Sequence, residues 1–255
     1  MIEKFELTIP CLSDEVRNIT VYVPDHQDYR KRYPVLYMFD GQNIFFDEDA
    51  TYGKSWGMYD YLTNNNVELI VVGIDSSRKP DNTRLCEYSP YNFDDFQFGR
   101  IRGLGKKHLK WLVDEFKPLI DSKYPTLADR NHTYIGGSSM GGLMAYYACL
   151  AYNDIFSRAA CLSPSFWVDN QKLVNFAKKS KLDPDTTIYL DYGSKETGGR
   201  FGKRANVCFW EIVDVLRNKN INLNVRVIQF GEHCEASWEK QIPEFLPLLM
   251  KGVQR

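Results

Sequence analysis

A serine with a glycine two residues away on either side, in Gly137-Ser138-Ser139-Met140-Gly141, has the spacing of a nucleophile carried on a sharp strand-to-helix turn. Such a turn strains the backbone of its central serine and presses the flanking chain together, so nearly bare residues are needed beside it. Ser139 is therefore the candidate nucleophile. Centring the pattern on Ser138 would put Met140 where the second glycine belongs. The same residues also suit a glycine-rich turn that only packs a helix against a strand, and the partners decide between the two. A serine hydroxyl is a weak nucleophile that needs an imidazole within hydrogen-bond reach to take its proton. Of the four histidines, His26, His108, His132 and His233, only His233 follows Ser139. It stands in Phe230-Gly231-Glu232-His233-Cys234-Glu235, after the last strand and before the last helix, the place of the general base when the chain order is nucleophile, acid, histidine. The other three read as structural or surface histidines.

The carboxylate that orients the imidazole belongs in the loop after the preceding strand, within Tyr189-Leu190-Asp191-Tyr192-Gly193-Ser194-Lys195-Glu196. Glu196, beyond the glycine turn, is expected to swing toward His233; Asp191, in or at the end of the strand, is the alternative. Acyl transfer also needs donors for the developing oxyanion. One is the backbone N–H of Met140, directly after the nucleophile. The other is expected from Asp40-Gly41-Gln42-Asn43, where Gly41 lets the backbone come close and the N–H of Gln42 is the donor. Asp-Gly is also an ordinary turn dipeptide.

The elements that must position these groups follow from the pattern. Phe5 to Ile9 and Ile19 to Val23 alternate as strands, and Val35 to Phe39 and Leu69 to Ile74 are continuous apolar runs that fit strands covered on both faces. A short helix is expected over Trp56 to Leu62. A longer one carries Leu109, Leu112, Val113, Phe116, Leu119 and Ile120 at helical spacing, with Pro118 in its last turns. The strand His132 to Ile135 feeds the serine turn and a helix over Leu143 to Tyr152. Then come the strand Ala159 to Leu162, a helix from Asn170 to Lys178, the strand Thr187 to Asp191, a helix over Val207 to Leu216 and the strand Leu223 to Gln229. A closing helix presents Trp238, Ile242, Phe245, Leu246 and Leu249 on one face. This alternation predicts an α/β fold with a largely parallel sheet. Asp75 to Gly103 breaks the rhythm. It has little periodicity but is rich in aromatic and arginine side chains, and is expected to be a substrate-facing loop rather than disordered chain.

Length and composition set the bounds. The 255 residues show no linker or composition break, so one domain (1–255) is expected. A formal net charge of −1 gives no footprint for nucleic acid or an anionic membrane, and no apolar run is long enough to span a bilayer. The first residues lack a basic segment followed by an apolar core, which makes a cytoplasmic location the expectation. Six scattered cysteines without metal-type spacing read as free thiols, Cys149, Cys161 and Cys208 in the core and Cys86 and Cys234 in polar loops. Cys234 neighbours His233, which leaves a role at the site open. The oligomeric state is not legible.

Several ordered motifs together carry a resemblance: Phe39-Asp40-Gly41-Gln42-Asn43, Glu87-Tyr88-Ser89-Pro90, Gly136 to Gly142, Leu162-Ser163-Pro164-Ser165-Phe166-Trp167 and Gly231 to Trp238. Over nearly its whole length the chain resembles an esterase family of α/β-hydrolases. That family includes enterochelin-esterase-like proteins, feruloyl and acetylxylan esterases, S-formylglutathione hydrolases and mycolyltransferases. The resemblance implies an α/β-hydrolase fold with no metal or organic cofactor, Ser139 as nucleophile, His233 as base, and Gln42 and Met140 as oxyanion donors. Glu196 stands where relatives often have an aspartate. Small-acyl or aromatic, feruloyl-like or catecholate-like, esters are the expected substrates. Trp56, Tyr88 and Trp167 are the expected pocket walls, and Arg84 either pairs with a substrate carboxylate or phenolate or forms a surface salt bridge. An acyltransferase of the same fold and a non-catalytic binding protein on a hydrolase scaffold are the competing readings.

Overall fold

The computed structural model describes residues 1–12, 15–25, 30–79 and 81–252. Two antiparallel strands, β1 (Ile2–Thr8) and β2 (Val16–Tyr22), open the chain, and β2 pairs antiparallel with β4 (Ile70–Ile74). From there the sheet is parallel through β3 (Val35–Phe39), β7 (Thr133–Ser138), β8 (Arg158–Leu162), β9 (Thr187–Gly193) and β10 (Asn222–Ile228). The order across the eight strands is β1-β2-β4-β3-β7-β8-β9-β10. The apolar run at β3 needs no polar face because the sheet is covered on both sides. Val35, Tyr37 and Phe39 point into one layer and Leu36 and Met38 into the other, the two-residue period of a strand. The first layer is filled from α3 (Gly105–Trp111), α4 (Lys117–Lys123), α5 (Met140–Ala151), α6 (Asn170–Lys179) and α7 (Gly199–Arg217). The second is filled from α1 (Met58–Asn64), α8 (Glu235–Glu239) and α9 (Ile242–Met250).

Every expected strand and helix is present, and the departures have local causes. Asp75 to Gly103 is not a plain loop. It contains a turn of helix, α2 (Thr83–Glu87), and a hairpin, β5 (Phe93–Asp95) and β6 (Gly99–Ile101). The Asp95 side chain accepts the Gln97 N–H, and Gly99, at φ 69°, supplies the left-handed residue that a tight return requires. Pro118 stands in the first turn of α4 rather than in the last turns of a helix, and a π-helical turn over Leu112–Phe116 separates α3 from α4. A proline lacks the N–H and crowds the carbonyl one turn back, and the wider turn absorbs both. The closing helix is divided between α8 and α9, with Pro243 opening the second piece. α7 starts at Gly199, well before Val207, on residues too polar to show a helical apolar face. His26 lies outside the described residues.

Candidate active site

β7 runs straight into Ser139, which sits at φ 56° and ψ −122° before α5 begins at Met140. A non-glycine residue keeps such a backbone only when its surroundings enforce it. Here the Ser139 N–H donates to the Leu162 carbonyl at 2.9 Å, and the Ser139 carbonyl accepts the N–H groups of Leu143 and Ser165, both at 3.0 Å. The flanking glycines are required sterically. A Cβ on Gly137 would lie 2.8 Å from the carbonyl carbon of Gly141. Gly137→Ala is expected to cost about 2 kcal/mol or more, seen as a lowered urea midpoint.

His233 follows β10 in the turn before α8. Its Nε2 lies 2.9 Å from Ser139 Oγ and its Nδ1 2.7 Å from Glu196 Oε2. The indole of Trp238 meets the imidazole edge-on with ring centres 5.1 Å apart. Glu196 stands in a single 3₁₀ turn after β9. Its Oε1 accepts the Gly193 N–H at 2.8 Å and the Ser163 hydroxyl at 2.7 Å. Of the two carboxylates open in the sequence, the structure brings Glu196 to the imidazole. Asp191 shares a strand face with Tyr189, which packs on Phe245, and among the described residues it makes no hydrogen bond to His233. It is buried, with Oδ1 accepting the Ser163 N–H at 2.9 Å and Oδ2 the Tyr189 hydroxyl at 3.2 Å.

Burial pushes the Asp191 carboxyl up to about 7; the Ser163 and Tyr189 donors work against that shift, and the neighbouring Glu196 adds to it. The unfolded chain would ionise it near 4. Because the folded value is the higher, the stability it contributes is full below the unfolded value and is lost as pH rises through the folded one. Asp191→Asn removes that loss. Relative to wild type, its unfolding free energy is expected to improve by roughly 2 kcal/mol between about pH 5 and about pH 8, measured by urea denaturation at both.

The Met140 N–H opens α5, and neither it nor the Gln42 N–H has a hydrogen-bond acceptor among the described residues. Gln42 lies in the turn Gly41–Asn43 after β3, with its amide clasped to Ser76: Nε2 donates to the serine hydroxyl at 3.0 Å, and Oε1 accepts the Ser76 N–H at 3.1 Å. The side chain is thus occupied, and the backbone N–H is what remains. The turn abuts the start of α5, since a Cβ on Gly141 would lie 3.0 Å from Asp40 Oδ2 and 3.0 Å from Phe39 Cβ.

Ser139, Met140, His233 and Glu196 open onto a cleft of about 390 Å³. Its wall includes Trp167, stacked on Phe98 at 6.2 Å and met edge-on by Phe201 at 5.2 Å. Arg84 also lines the cleft. Its Nε and Nη2 donate to the two Asp40 carboxylate oxygens, each at 2.7 Å, so the internal salt bridge forms without excluding a cleft-facing edge. The two other expected walls are corrected. Trp56 is buried in the second core layer against Trp238 and Phe245, where a large apolar ring gains more from full burial than from a pocket. Tyr88 is buried behind the cleft between Phe39 and His108, and its hydroxyl accepts the Asp40 N–H at 3.0 Å. His108 is buried and His132 pairs with Asp129. Cys234 caps α8 and faces Ser237 outside the cleft lining. Phe201 escaped the sequence reading, although an apolar residue between Gly199 and Gly202 in a polar stretch was a signal of an exposed wall. A larger, shallower groove of about 630 Å³ between α6 and α7 holds none of these groups.

The line from Glu196 through His233 to Ser139 can move a proton off the serine hydroxyl while the carboxylate steadies the imidazole. Among the described residues there is no helix long and apolar enough to cross a membrane and no group of three metal-ligating side chains. Comparison with known proteins agrees with the fold. The chain is similar to the uncharacterized protein YbbA of Bacillus subtilis, 26% identical over 185 residues, 71% of this chain and 69% of the other. A solved ferulic acid esterase superposes with a TM-score of 0.70 at 21% identity, covering 98% of this chain and 97% of that one. The enterobactin esterase FES of Shigella flexneri superposes with a TM-score of 0.74 at 18% identity, covering 99% of this chain and 60% of that one. The fold is that of the α/β-hydrolases. A model of the family described as "Putative esterase" matches residues 13–249. The chain therefore belongs to that esterase family and is a hydrolase acting on esters.

Proposed function

We propose that this protein is a serine carboxylic-ester hydrolase working through an acyl-enzyme. The observation that carries the reading is the unbroken line of contacts from Glu196 to His233 to Ser139, ending on a strained serine at the floor of a cleft. His233 accepts the proton as Ser139 attacks the ester carbonyl, and the Gln42 and Met140 N–H groups hold the tetrahedral oxyanion. His233 then protonates the leaving alcohol, and water releases the acyl group by the same route. Glu196 fixes the imidazole tautomer and steadies the imidazolium.

The Phe98, Trp167 and Phe201 wall favours a flat aromatic acyl group of the feruloyl or catecholate kind over a long flexible chain. Similar structures that include a ferulic acid esterase and an enterobactin esterase suit that reading. Six unpaired cysteines fit a reducing, cytoplasmic setting. The test is hydrolysis of p-nitrophenyl esters of increasing acyl length beside methyl ferulate and a catecholate ester, with wild type and Ser139→Ala. Serine-dependent turnover with an aromatic preference is expected. Full activity in Ser139→Ala would sink the mechanism, and a preference for long acyl chains would sink the substrate assignment.

A further inference from the structure

β8 ends at Leu162, and the next residue, Ser163, is left-handed at φ 42°. Serine pays for that conformation and keeps it only where neighbours fix it. Here they do. The Ser163 N–H donates to the buried Asp191, 2.9 Å from Oδ1 and 3.2 Å from its carbonyl oxygen. The Ser163 hydroxyl accepts the Trp238 Nε1–H at 3.0 Å and lies 2.7 Å from Glu196 Oε1. An indole nitrogen can only donate, so the single hydroxyl proton of Ser163 is directed at the carboxylate. Glu196 Oε1 is then held by two donors, this hydroxyl and the Gly193 N–H, which leaves Oε2 for His233 Nδ1. The same turn grips the serine from both sides through the Leu162 carbonyl and the Ser165 N–H.

We propose that Ser163 is a positioning residue that sets the rotation of the Glu196 carboxylate, and that Asp191, out of contact with His233, serves the site by holding Ser163 in its strained turn. This rests on the serine-hydrolase reading above. It gives the second carboxylate of the β9 segment a role that direct contact with the imidazole does not.

The experiment follows two rates: turnover of a p-nitrophenyl ester, and covalent labelling of Ser139 by a fluorophosphonate, which needs no natural substrate. Ser163→Ala is expected to lower kcat and the labelling rate about tenfold, with KM within about twofold of wild type. Because Ser163 acts through Glu196, Ser163→Ala combined with Glu196→Ala should be no slower than Glu196→Ala alone; a merely structural role would multiply the two losses. Asp191→Asn keeps an acceptor for the Ser163 N–H and should stay within about threefold of wild type, whereas Asp191→Ala should fall to the level of Ser163→Ala. If Ser163→Ala folds poorly, Ser163→Gly accepts the positive φ and removes the same hydroxyl. Wild-type rates in both Ser163 variants, or losses that multiply with Glu196→Ala, would overturn the proposal. Absence of labelling in the wild type would overturn the serine-hydrolase reading first, and is seen before any variant is made.

Discussion

Ser139→Ala is expected to lose about ten-thousandfold or more in kcat while keeping its fold, because the proposed nucleophile is gone and the packing around it is not. Ser139→Gly should be equally inactive but more stable than wild type by about 1 kcal/mol. The serine is held at φ 56° and ψ −122°, and glycine adopts such a backbone without the penalty. Ester turnover and urea denaturation of the three proteins check both halves. A glycine variant no more stable than the alanine variant would mean that the turn stores no strain at this residue.

The second large effect is expected at Glu196. In Glu196→Gln the Gly193 N–H and the Ser163 hydroxyl still demand an acceptor at the Oε1 position, so the introduced amide places its oxygen there and its NH₂ toward His233. The imidazole must then offer its Nδ1 lone pair, moving its proton to Nε2. In that tautomer it can no longer accept from Ser139 Oγ, 2.9 Å away. A loss of about a thousandfold in kcat follows, with KM little changed. Asp191→Asn, within β9, should cost less than a hundredth of that. Steady-state kinetics of the pair decide the matter, and a larger loss at Asp191 would reverse the assignment of the acid.

The sequence showed the site and the sheet more clearly than the cleft, for physical reasons. The pairing of Ser139 with His233 was legible because a strained turn admits few residue types and because one histidine alone followed it in the chain. Glu196 over Asp191 could be argued from strand geometry: a residue within a strand is committed to a face, while one beyond a glycine turn can swing. Trp56 and Tyr88 went wrong because aromatic residues near a site motif serve a core as readily as a pocket. Only the sheet's packing shows that both are buried. The hairpin in Asp75 to Gly103 was hidden because its strands are only three residues each, too short for alternation to register. Ser163 stands in the run Leu162-Ser163-Pro164-Ser165-Phe166-Trp167, but its left-handed backbone leaves no mark in the sequence when the residue is not glycine.

Glu196 and His233 are 37 residues apart, and His233 and Ser139 are 94 apart. The three side chains of the proposed triad therefore meet only after β7, β9 and β10 have all docked in register, and β10, which delivers the histidine, is a terminal strand of the sheet. Pairings so distant along the chain form late, after the entropy of closing long loops has been overcome. Recovery of labelling at Ser139 during refolding thus times the arrival of the final strand, and will lag any signal from the β3–β7 centre. Until β10 has joined the sheet, the proposed site stays chemically silent.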